Sequence, residues 1–548
     1  MKKDKVMKKS TFIKGAFVTT LGIVISKILG ILYVIPFHAV IGEQGGALYG
    51  YAYTIYLLFM SLSSAGIPLA ISKVVSEYQA LGYYNAKKRA FVLGKKLAVV
   101  MGMLGFILIM IFAPVLARWV LGDLTGGNTI QSVTMVIRII SSAVLVVPVL
   151  SVYRGYFEGH RFMNAPSISQ VIEQIVRVLI IVIGSYLVLD IFKMSLTTSV
   201  GVALFGATVG AIVSYFYLVF KLNGNKKKFN EKIRNVNEPI INNKTIFKKI
   251  IIYAVPFIMI DIFKSLYNYI DMVTVVKALV DVADFSVYDA EVVMSMLSTW
   301  GAKFNMIILS VSTGVIVSLI PNLTQSVVNK DKKDMNVKIN QSLSMLFFLM
   351  IPMTIGICFL AEPIWTVFYG TSKYGPSILG FYIFVGLIIG LFTAMVSVVQ
   401  ILKDYKTVLI SLLSGVIVKI LLNVNLINTF YNLGLPAYYG VITASLIGYL
   451  VSFIICVVVL ASKFKVNFES SVKNFVDILS ASLFMMIVLF VVKLFIPICL
   501  DNRFMNIFII LIYSIVGAIV YFIFLFKTKT INHIFGGKID KYIKKMVR

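Results

Sequence analysis

Lys27, Lys73, Arg138, Arg177, Lys264, Lys303, Lys419 and Lys493 all fall inside stretches of sequence that are otherwise apolar. Glu173, Asp261 and Asp271 are the clearest acids at similar positions, with Glu77 near the end of such a stretch. A Lys or Arg at the centre of a bilayer costs roughly 3 kcal/mol on insertion scales. All of these cations facing lipid would cost on the order of 20 kcal/mol, more than the whole stability of a typical protein. They must therefore pair with acids, reach a membrane surface, or line a water-filled cavity. Lys73, Arg138 and Lys493 are expected near helix ends, where a long side chain snorkels to the interface. Glu173 and Arg177 stand one helical turn apart and are expected to pair with each other, as are Asp261 and Lys264. Lys27 and Lys303 have no acid near them on their own helices. A cavity is the expected setting for these two, with Lys264 and Lys73 in support. An excess of cations suits an anionic ligand. A diphosphate needs several fixed positive charges in place of its hydration shell, whereas a lipid tail needs only an apolar groove.

Asp271 offers a second kind of chemistry. A buried carboxylate beside neutral side chains such as Asn423 and Thr443 would bind a monovalent cation or a proton. The alternative is structural: Lys419 lies one turn before Asn423 on the same helix face, and its ammonium would neutralise Asp271. Na+ or H+ as a coupling ion is thus the only cofactor expected. Cys358, Cys456 and Cys499 each lie in apolar sequence without metal-ligand spacing and read as small core residues.

The elements that must position these residues follow from composition. Of 548 residues, 59% are hydrophobic and 14% charged, and the mean hydropathy is +0.94. A soluble domain of this length needs more polar residues to cover its surface. Apolar stretches long enough to cross about 30 Å of hydrocarbon as helices recur from Phe12 to Phe526. The expected spans are 12–41, 47–79, 90–120, 129–157, 164–189, 196–221, 247–279, 294–327, 338–369, 376–402, 405–430, 436–462, 474–498 and 504–526. The fold class is an all-α polytopic membrane protein of about 14 helices. Period-two alternation is absent, which argues against an outer-membrane barrel. The basic start, Met1 to Ser10, leads into an apolar segment with no Ala-x-Ala site, expected to be an uncleaved first helix.

The net charge of +28 is a topology signal rather than a nucleic-acid signal. Lys and Arg gather at the N-terminus, in the loops after even-numbered spans and in the tail. Arg118, Lys193, Lys277, Lys373 and Arg503 fall on the other side. That asymmetry places both termini in the cytoplasm. The largest break is the basic, Asn-rich segment around Lys226, Lys227 and Lys228. The expected organisation is a first lobe over 1–222, a basic linker over 223–246 and a second lobe over 247–463. An extra helix pair over 464–526 would supply an apolar groove, and a basic tail over 527–548 follows. The motif Ser-Ser-Ala-Gly-Ile-Pro from Ser63 is weakly echoed by Ser-Thr-Gly-Val from Ser312, in line with a duplicated six-helix unit. Repeat-built transporters place their substrate site between such lobes.

The stretches ISKILGILYVIPF from Ile25, ALYGY from Ala47 and GIPLAISKVVSEYQALG from Gly66 resemble the polysaccharide transporter family. More narrowly they resemble its Gram-positive lipid II flippases of the MurJ type, with the stage V sporulation protein B as a cousin. The resemblance implies membership of the multidrug, oligosaccharidyl-lipid and polysaccharide exporter superfamily and an alternating-access flippase. Its implied partners are a lipid-linked anionic oligosaccharide with a diphosphate head and the membrane lipids; the working unit is expected to be a monomer. Ser26 to Gly30 matches the family's Ser-Arg-Val-Leu-Gly, whose Arg is a cavity cation. Ala302-Lys303-Phe304, followed by Pro321, matches a Glu-Arg-Ile-Tyr segment ending in Leu-Pro. Lys at both positions keeps the charge and loses bidentate phosphate geometry. Tyr33 stands where the Gram-negative branch has a further Arg. Asp271 matches a seventh-helix Asp implicated in sodium binding, whose eleventh-helix partners are only partly matched, by Lys419 and Asn423.

Three functions compete at this level. The first is a flippase for lipid II, or for another lipid-linked polysaccharide repeat unit. A multidrug-type cation antiporter would need an acid-dominated cavity, against the cation excess. A membrane glycosyltransferase would need catalytic carboxylates or a sizeable outer loop. The longest outer loop, 280–293, carries Asp281, Asp284, Asp289 and Glu291, expected to form a solvated turn. No Walker-type phosphate loop occurs. The expectation is a transporter and not an enzyme.

Overall fold

The computed structural model describes residues 26–64, 66–160, 162–225, 238–499 and 502–535. Among these residues there is no strand. A short helix, α1 (26–32), leads into α2 (Val34–Ser63), α3 (Ile67–Ala80), α4 (Tyr84–Leu121) and α5 (Ile130–Gly159). Then come α6 (Asn164–Leu179), α7 (Leu196–Gly224), α8 (Asn243–Ala283) and α9 (Val287–Ser295). The chain continues through α10 (Ala302–Val328), α11 (Lys332–Phe359), α12 (Ala361–Tyr369), α13 (Gly375–Ile401) and α14 (Tyr405–Asn432). It closes with α15 (Tyr438–Ser462), α16 (Glu469–Lys493), α17 (Arg503–Lys527) and α18 (Thr530–Phe535).

Twelve helices among the described residues are long and apolar enough to cross a membrane. They cover the expected spans apart from the first and the seventh. The first begins in residues outside the described ones, and the seventh falls within α8, a continuous helix of 41 residues. Two expectations are corrected. The span 338–369 is broken at Leu360 into α11 and the nine-residue α12. The outer loop 280–293 shrinks to three residues, because α8 runs on to Ala283 and Ser286 caps α9 by accepting from the Asp289 amide. Half of the expected linker, 226–237, and most of the expected tail, 536–548, lie outside the described residues.

By its internal contacts the chain divides into two compact units. The first is Met1–Lys277 with Ser286–Ser298, the second Ala278–Phe285 with Thr299–Arg548. The sequence suggested a division at 223–246; the contacts divide the chain within α8 and group most of that helix with the first unit. The cause is local. Gly66 adopts φ +71°, which L-residues rarely tolerate, and lets α3 start abruptly with Pro68 in its first turn. A Cβ at Gly66 would also lie 2.6 Å from the Ala254 carbonyl oxygen of α8. Lower down, Lys249 of α8 meets Glu77 of α3 at 2.5 Å, and Ser265 of α8 bonds Ser61 of α2 at 2.7 Å. Gly66→Ala therefore combines strain with overpacking. It should destabilise the first unit by about 2 kcal/mol, read as a lowered unfolding midpoint in detergent.

In the second unit, α11, α12, α16 and α17 line an open apolar cavity of about 420 Å³. Pro352, Gly356, Leu489, Tyr513, Gly517 and Phe522 are among its walls. Small residues at helix contacts let the backbones approach and leave such a groove between larger neighbours.

Candidate functional site

In the first unit, Lys27 sits half-buried on α1. Three residues on, a Cβ at Gly30 would lie 3.5 Å from the Gln174 amide nitrogen, so α1 packs beside the middle of α6. Lys27 forms no ion pair among the described residues. Lys73 is exposed on α3, its ammonium 3.9 Å from the centre of the Tyr253 ring. Asp261 and Lys264 attract each other along α8 without closing to ion-pair distance. Lys264 is half-buried and Asp261 exposed. Asp271, further along α8, is half-buried.

The expected Glu173–Arg177 pair is not formed. Glu173 instead receives Arg154 of α5, Nη2 to Oε2 2.6 Å, both side chains mostly buried. The Arg154 guanidinium also donates from Nε to Ser169 Oγ at 2.9 Å and from Nη2 to Ser214 Oγ at 3.3 Å. It thus ties α5, α6 and α7 together. Arg177 turns the other way, 5.3 Å from the centre of the Tyr53 ring, with Nη2 3.5 Å from the Tyr49 hydroxyl. The i,i+4 rule identified a possible neighbour, but a cation from another helix with two serines behind it holds Glu173 more fully than one surface turn could.

The acids of the outer loop also divide. Asp289 sits at the exposed start of α9, accepting from Ser286 Oγ at 2.8 Å. Asp284, in the second unit, accepts from the Tyr431 hydroxyl at 2.6 Å. Glu291 is fully buried rather than solvated. Its Oε2 accepts from the Asn128 amide at 2.8 Å and the Asn128 side chain at 2.9 Å, and its Oε1 lies 3.5 Å from the Tyr51 hydroxyl. This carboxylate fastens α9 to the α4–α5 loop.

In the second unit, Lys303 is half-buried on α10. It follows a π-helical turn, Met296–Trp300, and Gly301. Such a turn rotates the helix face that follows it and is frequent at functional sites. Phe304 beside it is buried edge-on against Phe368, ring centres 5.1 Å apart. Lys419 is fully buried: its ammonium donates to Ser445 Oγ at 2.7 Å and the Val441 carbonyl at 3.1 Å on α15. Asn423, one turn on, is likewise fully buried. Thr443 is half-buried and donates to the Tyr439 carbonyl at 2.8 Å. Among the described residues no group of three or more His, Cys, Asp or Glu is placed to hold a metal ion.

Arg154 and the tyrosines at 49, 53 and 56 were not singled out from sequence. The tyrosine spacing, one and two turns along one face of α2, was the available signal. For Arg154 it was its own place within the expected span 129–157, where a cation is as anomalous as those already singled out.

Long apolar helices carrying buried cations define a multi-pass membrane protein of the transporter class. The chain belongs to the polysaccharide biosynthesis protein family, which it matches over residues 12–325. It is 32% identical over 545 residues to "Lipid II flippase MurJ" of Bacillus subtilis (strain 168), covering 98% of this chain and 99% of that protein. It is 30% identical over 251 residues to "Stage V sporulation protein B" of the same organism, 46% of each chain. Among solved structures, a lipid II flippase MurJ in an inward closed conformation superposes with a TM-score of 0.69 at 18% identity, over 94% of this chain and all of that one. An inward-facing MATE-family multidrug resistance transporter of the MOP superfamily reaches 0.62 at 11% identity, over 82% and 99%. These two likenesses establish the fold alone.

Proposed function

We propose that this protein is a flippase for a lipid-linked, diphosphate-bearing cell-wall precursor, with lipid II as the substrate. The observation that carries the reading is the end-to-end identity of 32% with the lipid II flippase of Bacillus subtilis. The cations in the helices supply a chemistry in keeping with it. Lys27, Lys303, Lys264 and Lys73 would neutralise the diphosphate, and the apolar cavity between α11, α12, α16 and α17 would receive the lipid tail. The working unit is a monomer in the cytoplasmic membrane with both termini inside. Transport proceeds by alternating access, without covalent chemistry on the substrate. Asp271 is the candidate for coupling to Na+ or H+, with Asn423, Thr443 and Lys419 as the residues that tune it. The MATE likeness does not favour a cation antiporter, since it concerns the fold and the excess of cations within the helices argues for an anion.

The test is rescue of a strain depleted of its lipid II flippase. The wild-type gene should restore growth, and Lys27→Ala and Lys303→Ala should each fail at equal membrane abundance. No rescue by well-expressed wild type would remove lipid II as the substrate. Full rescue by both variants would remove the cation argument.

A further inference from the structure

In the second unit a polar pocket of about 430 Å³ opens between the starts of α11 and α16, with Ile534 of α18 as its apolar edge. Its walls are fastened by bonds of the protein's own. Asn340 of α11, buried, donates from Nδ2 to the Asn467 carbonyl at 2.7 Å and accepts at Oδ1 from the Ser471 hydroxyl at 2.6 Å. Asn336 Oδ1 accepts from the Asn467 amide at 2.9 Å. The connector into α16 is thereby held against α11, and the pocket keeps its shape. Two polar groups within it are left over. Asn474 is 6% exposed and Ser344 1%, and both line the space. Asn474 Nδ2 donates to Ser344 Oγ at 2.9 Å. Among the described residues nothing donates to Asn474 Oδ1, and the Ser344 hydroxyl donates to no acceptor.

A buried acceptor and a buried donor side by side suit a hydroxyl group, which donates and accepts at once. The pocket holds far more than one water, whose share of the liquid is about 30 Å³. At its rim the carboxamides of Asn336, Gln341 and Asn467 extend the same chemistry. The charged lining residues, Lys473 and Glu469, are opposite in sign and both exposed, so charge does not select an anion. The level of the pocket is equally informative. α11 turns apolar after Ser344 and α16 after Asp477. Phe348, one turn beyond Ser344, and Met485, three turns beyond Asn474, line the apolar cavity. The polar pocket thus sits where head groups meet hydrocarbon, and an apolar space begins further along the same two helices.

We propose that this pocket binds the uncharged, hydroxyl-bearing sugar head of a membrane glycolipid. Asn474 and Ser344 bond one hydroxyl, and the carboxamides of Asn336, Gln341 and Asn467 take its neighbours. Such a ligand would join α11 to α16 and α18. The site is separate from the lysines assigned to the diphosphate and does not depend on which lipid is transported.

The experiment is native mass spectrometry of the full-length protein in a polyether detergent, chosen because a maltoside head would itself fit the pocket. The probes are monoglucosyl diacylglycerol, the same diacylglycerol without its sugar, and phosphatidic acid, which carries a charge in the sugar's place. Wild type should bind the glucolipid about tenfold more tightly than either control. Asn474→Leu should abolish that preference. Gln341→Ala, at an exposed position, should reduce it about threefold and carries the test if the leucine variant does not fold. Dodecyl maltoside should displace the glucolipid, and free maltose at the same concentration should not. The site is overturned if wild type binds the three probes alike or prefers phosphatidic acid. It is also overturned if folded Asn474→Leu and Gln341→Ala keep the wild-type preference. Displacement by free maltose as effective as by the maltoside would overturn the glycolipid in favour of a soluble sugar.

Discussion

Glu291→Ala should destabilise the first unit by about 3 kcal/mol, with Glu291→Gln losing about 1 kcal/mol. The carboxylate is fully buried and accepts two bonds from Asn128 with Tyr51 close by, itself fully buried. Alanine leaves the Asn128 donors facing a void, and an unmet buried donor costs about 1–3 kcal/mol on its own. Glutamine keeps an oxygen for Asn128 and turns its amide to Tyr51, whose hydroxyl can accept. Gly127 sharpens the test. A Cβ there would stand 2.5 Å from Glu291 Oε2, so Gly127→Ala alone must displace the carboxylate. In the double variant the cavity left by Glu291→Ala receives that methyl, and the combined loss should be clearly smaller than the two losses added. Unfolding midpoints in detergent for the three variants check this. Additive losses would mean that Glu291 does not occupy the space beside Gly127.

The helical spans were legible because the length of an apolar run is a physical requirement of the bilayer, present in every segment separately. The break before α3 was missed, since the expected span 47–79 runs straight through it, although Gly66 followed by Pro68 is a local signal for it. What the sequence concealed were partnerships between helices. Glu173 and Arg177 at four-residue spacing suggest a pair by the only rule available within one helix, and the rule fails because Arg154 arrives from α5. Asp281, Asp284, Asp289 and Glu291 read alike as a hydrophilic turn. Only the structure shows that α9 starts at Val287 and carries Glu291 inward on the face opposite the half-buried Asp289. The extent of α8 has the same character. No composition shift marks Lys277, and the grouping of α8 with the first unit follows from contacts with Gly66, Ser61 and Glu77 that lie far away in sequence. The cations within the apolar helices stand out in the sequence because each is anomalous by itself, but what surrounds each of them is set by other helices.

Glu173→Ala should cost the first unit about 3–4 kcal/mol, because it strands a mostly buried guanidinium rather than removing a surface charge. Arg154→Ala should cost a comparable amount, leaving Glu173, Ser169 and Ser214 without their shared donor. Together, as Arg154→Met with Glu173→Leu, the loss should be well below the added single losses, since two apolar side chains of similar size need no partners. A double-mutant cycle between positions 154 and 173 should therefore return a coupling of about 2 kcal/mol. The same cycle between 173 and 177 should return almost none. This contrast separates the two accounts of α6. If Glu173 served Arg177, the coupling would lie along the helix, and Arg177 would be a neutralised structural residue. If it serves Arg154, as the 2.6 Å contact indicates, Arg177 keeps its full charge against the tyrosine stack.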